Sequence, residues 1–200
     1  MSAQAATLNI LSQVLDEFGD RLSIHGGSNV LVSDASIAQS LYTATESVRT
    51  PFGPTITVAS QVEPDAATVK DIPNTSVKAA DKLDMDHYTH AVFGVASEDP
   101  KYLYGGLKHT IYALQPKGYA IVISIKQETK EAGDGQYQVA LEDKLKYQSK
   151  GKIENLSDVL YYAGFERGKI RSFEKTATIV DGNDVHAEVL LAMKWDQLNA

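Results

Sequence analysis

The feature that most constrains the fold of this chain is a recurrence of short apolar, β-branched runs separated by stretches with helical spacing. Val30-Leu31-Val32, Thr55 to Ala59, Ser76 to Ala80, His90 to Ala96 and Tyr119 to Ser124 read as strands. The fourth and fifth contain no Asp, Glu, Lys or Arg, the pattern of strands covered on both faces. Ahead of them, Leu8 to Phe18 has the spacing of an amphipathic helix ending near Gly19, and Arg21 to Ile24 reads as a short extended piece. Ser33 or Asp34 can cap a helix from Ala35 to about Val48, and Pro64-Asp65-Ala66-Ala67 looks like another helix start. Tyr102 to Leu114 and Ile153 to Ala163, the latter capped by Gly164, complete the helical set. Strands alternating with helices predict a parallel sheet, because right-handed crossovers place the helices over its faces. The closing runs, Ile170 to Phe173 and Glu188 to Trp195, are separated by the turn Asp181-Gly182-Asn183-Asp184 and should pair antiparallel. The expected class is therefore α/β: one mostly parallel seven-stranded sheet, helices on both faces, and an antiparallel C-terminal edge hairpin.

A length of 200 residues predicts a single domain, 1–200, in which 1–28 form an N-terminal helical cap and 126–152 a polar excursion. Hydrophobic residues at 43% and charged residues at 22% suffice for one core. That core should include Val92, Val95, Leu107, Ile111, Ile121, Ile123, Leu160 and Leu190. Nineteen Lys and Arg against 26 Asp and Glu give a net charge of −7, which argues against nucleic-acid and anionic-membrane partners. The chain has no cysteine, which excludes disulfides, thiolate metal sites and a cysteine nucleophile. Gly118 to Ile125, the longest nearly apolar stretch, is far shorter than the roughly 20 residues of a membrane span. Met1-Ser2-Ala3-Gln4 lacks the basic start of a secretory signal, so a cytoplasmic location is expected.

Two punctuation marks in the second half carry more information. Leu114-Gln115-Pro116-Lys117-Gly118 precedes the strand at Tyr119, and Leu160-Tyr161-Tyr162-Ala163-Gly164-Phe165 precedes the closing strands. In order and spacing, Asn29 to Trp195 resembles the class I S-adenosylmethionine-dependent methyltransferases, with the residue-level likeness beginning near His90. The resemblance implies a Rossmann-like sheet and a cofactor held at the ends of the first strands. There the family has an acidic residue and a glycine loop after strand one, whose missing Cβ atoms let backbone approach ligand. Here Val32 is followed by Ser33-Asp34-Ala35-Ser36, without glycine. Gly26-Gly27 lies ahead of that strand, and would occupy the loop only if Leu22-Ser23-Ile24 were strand one. The resemblance also implies a ribose-binding acid after strand two, near Gln61 and Glu63, and an adenine contact after strand three, at Asp81. Glu63 also reads, and more simply, as an exposed carboxylate before a helix, and Asp81 as part of a solvated turn with Lys82, Asp84 and Asp86. The candidate cofactor-binding set is Ser33, Asp34, Glu63 and Asp81.

Other chemistry is less defined. Asp84, Asp86, His87 and His90, with His186 and Glu188 farther on, are potential metal ligands or scattered surface groups. No metal is assigned to them. No nucleophile elbow is present, and Gly105-Gly106 before Lys108 lacks the phosphate-loop spacing, so no catalytic residue is legible. Tyr102, Tyr104, Tyr112, Tyr161 and Tyr162 would border the sheet, either as a partner surface or as the core margin. Two functions follow. One is a methyltransferase-like protein that has lost cofactor binding and acts as an interaction or assembly module, its partner another protein or a second copy of itself. The alternative is a methyltransferase that binds S-adenosylmethionine through the four candidate residues and acts on a small molecule.

Overall fold

The computed structural model describes residues 2–48, 53–95, 100–126, 155–178 and 184–195. In chain order these form α1 (Ser2–Leu22), β1 (Asn29–Val32), α2 (Ala35–Ala44), β2 (Thr55–Ser60), β3 (Thr75–Ala79), β4 (Tyr88–Val95), α3 (Pro100–Ala113), β5 (Leu114–Lys126), α4 (Leu156–Ala163), β6 (Ile170–Thr178) and β7 (Asp184–Met193). The seven strands make one sheet in the order β3-β2-β1-β4-β5-β7-β6. β1 to β5 run parallel, and β7 lies antiparallel between β5 and β6. The expected α/β class, the mostly parallel sheet and the antiparallel edge are all present.

Alternation along each strand divides the apolar residues between two cores. Val30 and Val32 of β1 join Ile10, Leu11 and Val14 of α1 and Ile37 and Leu41 of α2 on one face. Leu31 points the other way, into the cluster containing Leu107 and Ile111 of α3 and Leu156 and Leu160 of α4. Both faces are thus covered by helices, as right-handed crossovers require. Val92, Leu107, Ile111, Ile121, Ile123, Leu160 and Leu190 are buried as expected, while the side chain of Val95 lies outside the described residues.

Several boundaries depart from the expectations. Helix α1 continues through Gly19 to Leu22, and Ser23 follows with a φ of 52°, so Arg21 to Ile24 is the end of a helix and no strand. This removes Leu22-Ser23-Ile24 as strand one; Val30 to Val32 holds that place between β2 and β4. Helix α2 stops at Ala44, where the Thr45 amide bonds back to the Leu41 carbonyl, and a 3-10 turn covers Glu46–Val48. After β2, Asp65 caps only a 3-10 turn, Ala66–Val69, because Pro73 shortly downstream cannot continue a helix. Residues 114–118 were expected as a turn before the strand, yet β5 already begins at Leu114, with a register irregularity opposite Tyr88 and His90. A Cβ on Gly118 would come within 2.9 Å of the Gln115 carbonyl oxygen and 3.0 Å of that of Thr89, so backbone packs on backbone there. β6 and β7 are each longer than expected at their ends nearest one another. The excursion at 126–152 lies, beyond Lys126, outside the described residues, as does most of the turn at 181–184.

Candidate functional site

In an open α/β sheet the ligand crevice lies beyond the carboxyl ends of the strands, where the strand order reverses. That point here is between β1 and β4, neighbours that are far apart in sequence. The connection from β1 to α2 consists of Ser33 and Asp34 alone. Its shortness decides the local chemistry. Asp34, in extended backbone, caps α2, with one carboxylate oxygen accepting the Ile37 amide at 2.9 Å. The other accepts the Ser33 hydroxyl at 3.0 Å, and that hydroxyl in turn accepts the Gly94 amide of β4 at 3.1 Å. The Ser33 amide donates to the Val92 carbonyl at 3.1 Å. The hydroxyl and carboxylate expected to meet a nucleotide are engaged in tying β1, α2 and β4 together.

The apolar side of the same junction is closed as well. Ile37 is 4% exposed, and a Cβ on Gly94 would lie 2.8 Å from Ile37 Cδ1 and 4.0 Å from an Asp34 carboxylate oxygen. Gly94 therefore admits the first turn of α2 onto the end of β4. Beyond β2, a Cβ on Gly106 would sit 3.3 Å from the Gln61 amide nitrogen and 2.8 Å from the Phe93 ring. Gln61 thus reaches across from the end of β2 to α3, over the sheet edge where β1 and β4 end. Ser60, the last residue of β2, closes a local turn by donating to the Val62 carbonyl at 2.8 Å.

Of the four expected site residues, Ser33 and Asp34 are hydrogen-bonded to each other. Glu63 lies three residues past β2 and Asp81 within the 3-10 turn Ala80–Lys82, both exposed. Ile37 and Gly94, which shape the junction, were not singled out by the sequence reading, and Gln61 was noted only for its place after strand two. A glycine inside an apolar strand is a signal of close approach, and Gly94 could have been found that way.

The potential metal ligands are dispersed by other bonds. Asp84 pairs with Lys78 at 2.6 Å, and that hydrogen bond lowers its carboxyl pKa. Asp86 accepts from the buried Lys194 ammonium at 2.9 Å, and the same ammonium donates to the Leu114 carbonyl at 2.6 Å. His90 is buried against the Leu22 carbonyl through Nε2 and lies 2.7 Å from the Thr89 hydroxyl through Nδ1. Burial pushes the His90 imidazole pKa down. His186 meets Thr176 at 3.1 Å and Glu188 accepts from Ser172 at 2.9 Å. Among the described residues no three His, Asp or Glu side chains converge as a metal site. Of the tyrosines, Tyr112 and Tyr161 are exposed and Tyr162 packs against the core, while the side chains of Tyr102 and Tyr104 lie outside the described residues. Among the described residues no helix is long and apolar enough to cross a membrane.

Neither a protein-family model nor a curated protein sequence matches the chain. Solved structures match its fold. An S-adenosylmethionine-dependent methyltransferase from Methanosarcina mazei superposes with a TM-score of 0.53 at 14% identity, over 87% of this chain and 95% of that one. A 1,6-didemethyltoxoflavin-N1-methyltransferase from Burkholderia thailandensis, solved with 1,6-didemethyltoxoflavin and S-adenosylhomocysteine, gives 0.55 at 14%, over 96% and 79%. The (4+2)-cyclase SpnF gives 0.56 at 13%, over 93% and 81%. Strand order, the antiparallel β5-β7-β6 edge and these superpositions together establish that the chain has the class I S-adenosylmethionine-dependent methyltransferase fold.

Proposed function

We propose that the chain is a methyltransferase-like protein that does not bind S-adenosylmethionine and acts as an interaction or assembly module. One observation carries the reading. The two-residue β1–α2 connection turns Asp34 onto the α2 amides and seats Ile37 on Gly94, in the place where a nucleotide would meet the backbone. A pocket for a cofactor needs concavity with a few convergent polar groups. At this edge the polar groups of Ser33 and Asp34 converge on the chain's own amides, and Glu63 and Asp81 are exposed. The fold itself does not require methyl transfer, since function resides in the site and not in the sheet. A partner surface is supported by Met85 and Tyr112, 71% and 53% exposed, which are brought together where the Asp86 amide donates to the Tyr112 carbonyl. Large exposed apolar side chains in proximity favour protein contact.

Calorimetric titration with S-adenosylmethionine and with S-adenosylhomocysteine tests this reading. The expected result is no saturable heat with either. A micromolar dissociation constant, weakened by Glu63→Ala or Asp81→Ala, overturns it in favour of a methyltransferase acting on a small molecule.

A further inference from the structure

The amino end of the sheet, opposite the nominal cofactor edge, holds a cavity of about 100 Å³. Three cations line it: Arg21 from the last turn of α1, Lys169 from the 3-10 turn before β6, and Arg171 from β6 itself. No carboxylate is among its lining residues, in a chain whose net charge is −7. Four cations elsewhere in the described residues have acidic partners: Lys78 with Asp84, Arg167 with Asp158, Lys175 with Glu17 and Lys194 with Asp86. The pocket cations are held differently. Arg21 Nε donates to the Tyr119 hydroxyl at 3.1 Å, and Lys169 Nζ lies 3.9 Å from the centre of the Trp195 ring. Aromatic groups orient these charges without neutralising them, so attraction for an anion is retained.

Apolar side chains complete the lining. Phe173 and Leu191 line the cavity, and the strand register sets Arg171 opposite Leu191 and Met193 opposite Tyr119. At the rim a Cβ on Gly168 would meet nothing within 4 Å, so the mouth is open on that side. Guanidinium groups match phosphate oxygens in paired hydrogen bonds, and an ammonium adds a compact charge. We infer that this cavity is a binding site for a small organic phosphate, its phosphoryl group held by Arg21, Lys169 and Arg171 and its short apolar stem resting on Phe173 and Leu191. The site is separate from the β1–β4 junction and does not depend on whether S-adenosylmethionine binds there.

Titration of the full chain with inorganic phosphate and with phenyl phosphate, followed by calorimetry and by amide chemical shifts, tests the proposal. Both ligands should saturate, phenyl phosphate more tightly, with shifts centred on Arg21, Tyr119 and Arg171. Arg171→Gln and Lys169→Gln should each weaken binding at least tenfold with an unchanged unfolding midpoint. Gly168→Phe should block the mouth while leaving all three charges in place. A control change at the exposed Lys82, Lys82→Gln, should have no effect. Absence of saturation with either phosphate, or binding unaltered in the Arg171→Gln, Lys169→Gln double variant, overturns the inference. So does binding to anionic lipid vesicles without binding to phenyl phosphate, which would make the cations a membrane-facing patch.

Discussion

The two ends of the one sheet show opposite solutions to the same geometric situation. At the carboxyl end, where β1 and β4 diverge, a two-residue connection brings the first turn of α2 down onto β4. Ser33, Asp34 and Ile37 then fill the junction with mutual bonds and contacts. At the amino end, Arg21, Tyr119 and the Lys169–Arg171 stretch arrive from three separate segments and leave a cavity between them. Connection length is the physical difference. A short connection forces neighbouring groups to satisfy one another, whereas groups assembled from distant segments can converge on a space that none of them fills.

The largest expected effect is at the sealed end. Ile37→Ala removes a side chain that is 4% exposed and should cost about 2–5 kcal/mol of unfolding free energy through the cavity it leaves. Urea denaturation measures this, and calorimetry on the same variant should still show no S-adenosylmethionine binding. Saturable binding would mean that Ile37 alone closes the crevice, which would break the contrast between the two ends.

Next comes a change at the amino end, outside the cavity lining. Lys194 is 3% exposed and joins the Leu114 carbonyl to Asp86, so Lys194→Met should cost roughly 1.5–3 kcal/mol, the range for hydrogen bonds to charged groups. Phosphate titration of this variant should be unchanged at temperatures where it is folded. A loss of phosphate binding in the folded variant would merge the Lys194 clamp with the cavity into one site. Asp34→Ala should cost about 1 kcal/mol, as loss of a helix cap does, without creating cofactor binding. A measured cost near zero would show that the Asp34 bonds do not hold the sealed junction.

The smallest effect depends on pH and concerns His90, at the start of β4. Because burial lowers its pKa in the folded state, the unfolded chain takes up a proton first as pH falls. His90 therefore leaves stability undiminished above about 6.5, the unfolded value, and stability declines as pH falls from there toward the folded pKa. One proton sets a ceiling of about 1.4 kcal/mol per pH unit. His90→Gln should flatten this part of the profile in denaturation series across the window. An identical slope in the variant would assign the proton to another group.

Much of the fold was legible because it depends on local pattern. Charge-free runs at His90 and Tyr119 marked interior strands, and the Ala-Gly-Phe ending at Phe165 marked the close of α4, where Gly164 takes a φ of 125°. The helix expected from Pro64 shrank to a 3-10 turn, because a start signal says nothing of how soon the chain must return to pair as β3. The site was half legible. The absence of glycine after Val32 pointed to the right junction, but Ile37, which packs on Gly94 there, is an ordinary residue without a motif.

The sequence by itself determined the order of strands and helices, the two-faced burial of the central strands and the lack of a glycine loop, all consequences of residue type and spacing along the chain. Tertiary structure alone decided that Asp34 would be consumed as a cap, that Gln61 would reach α3, and that three segments would bring Arg21, Tyr119, Lys169 and Arg171 around one cavity. The reason is distance. Periodicity reports which face a residue presents within its own element, whereas convergence of residues 21, 119, 169 and 171 depends on how the elements cross, and no local pattern encodes that crossing.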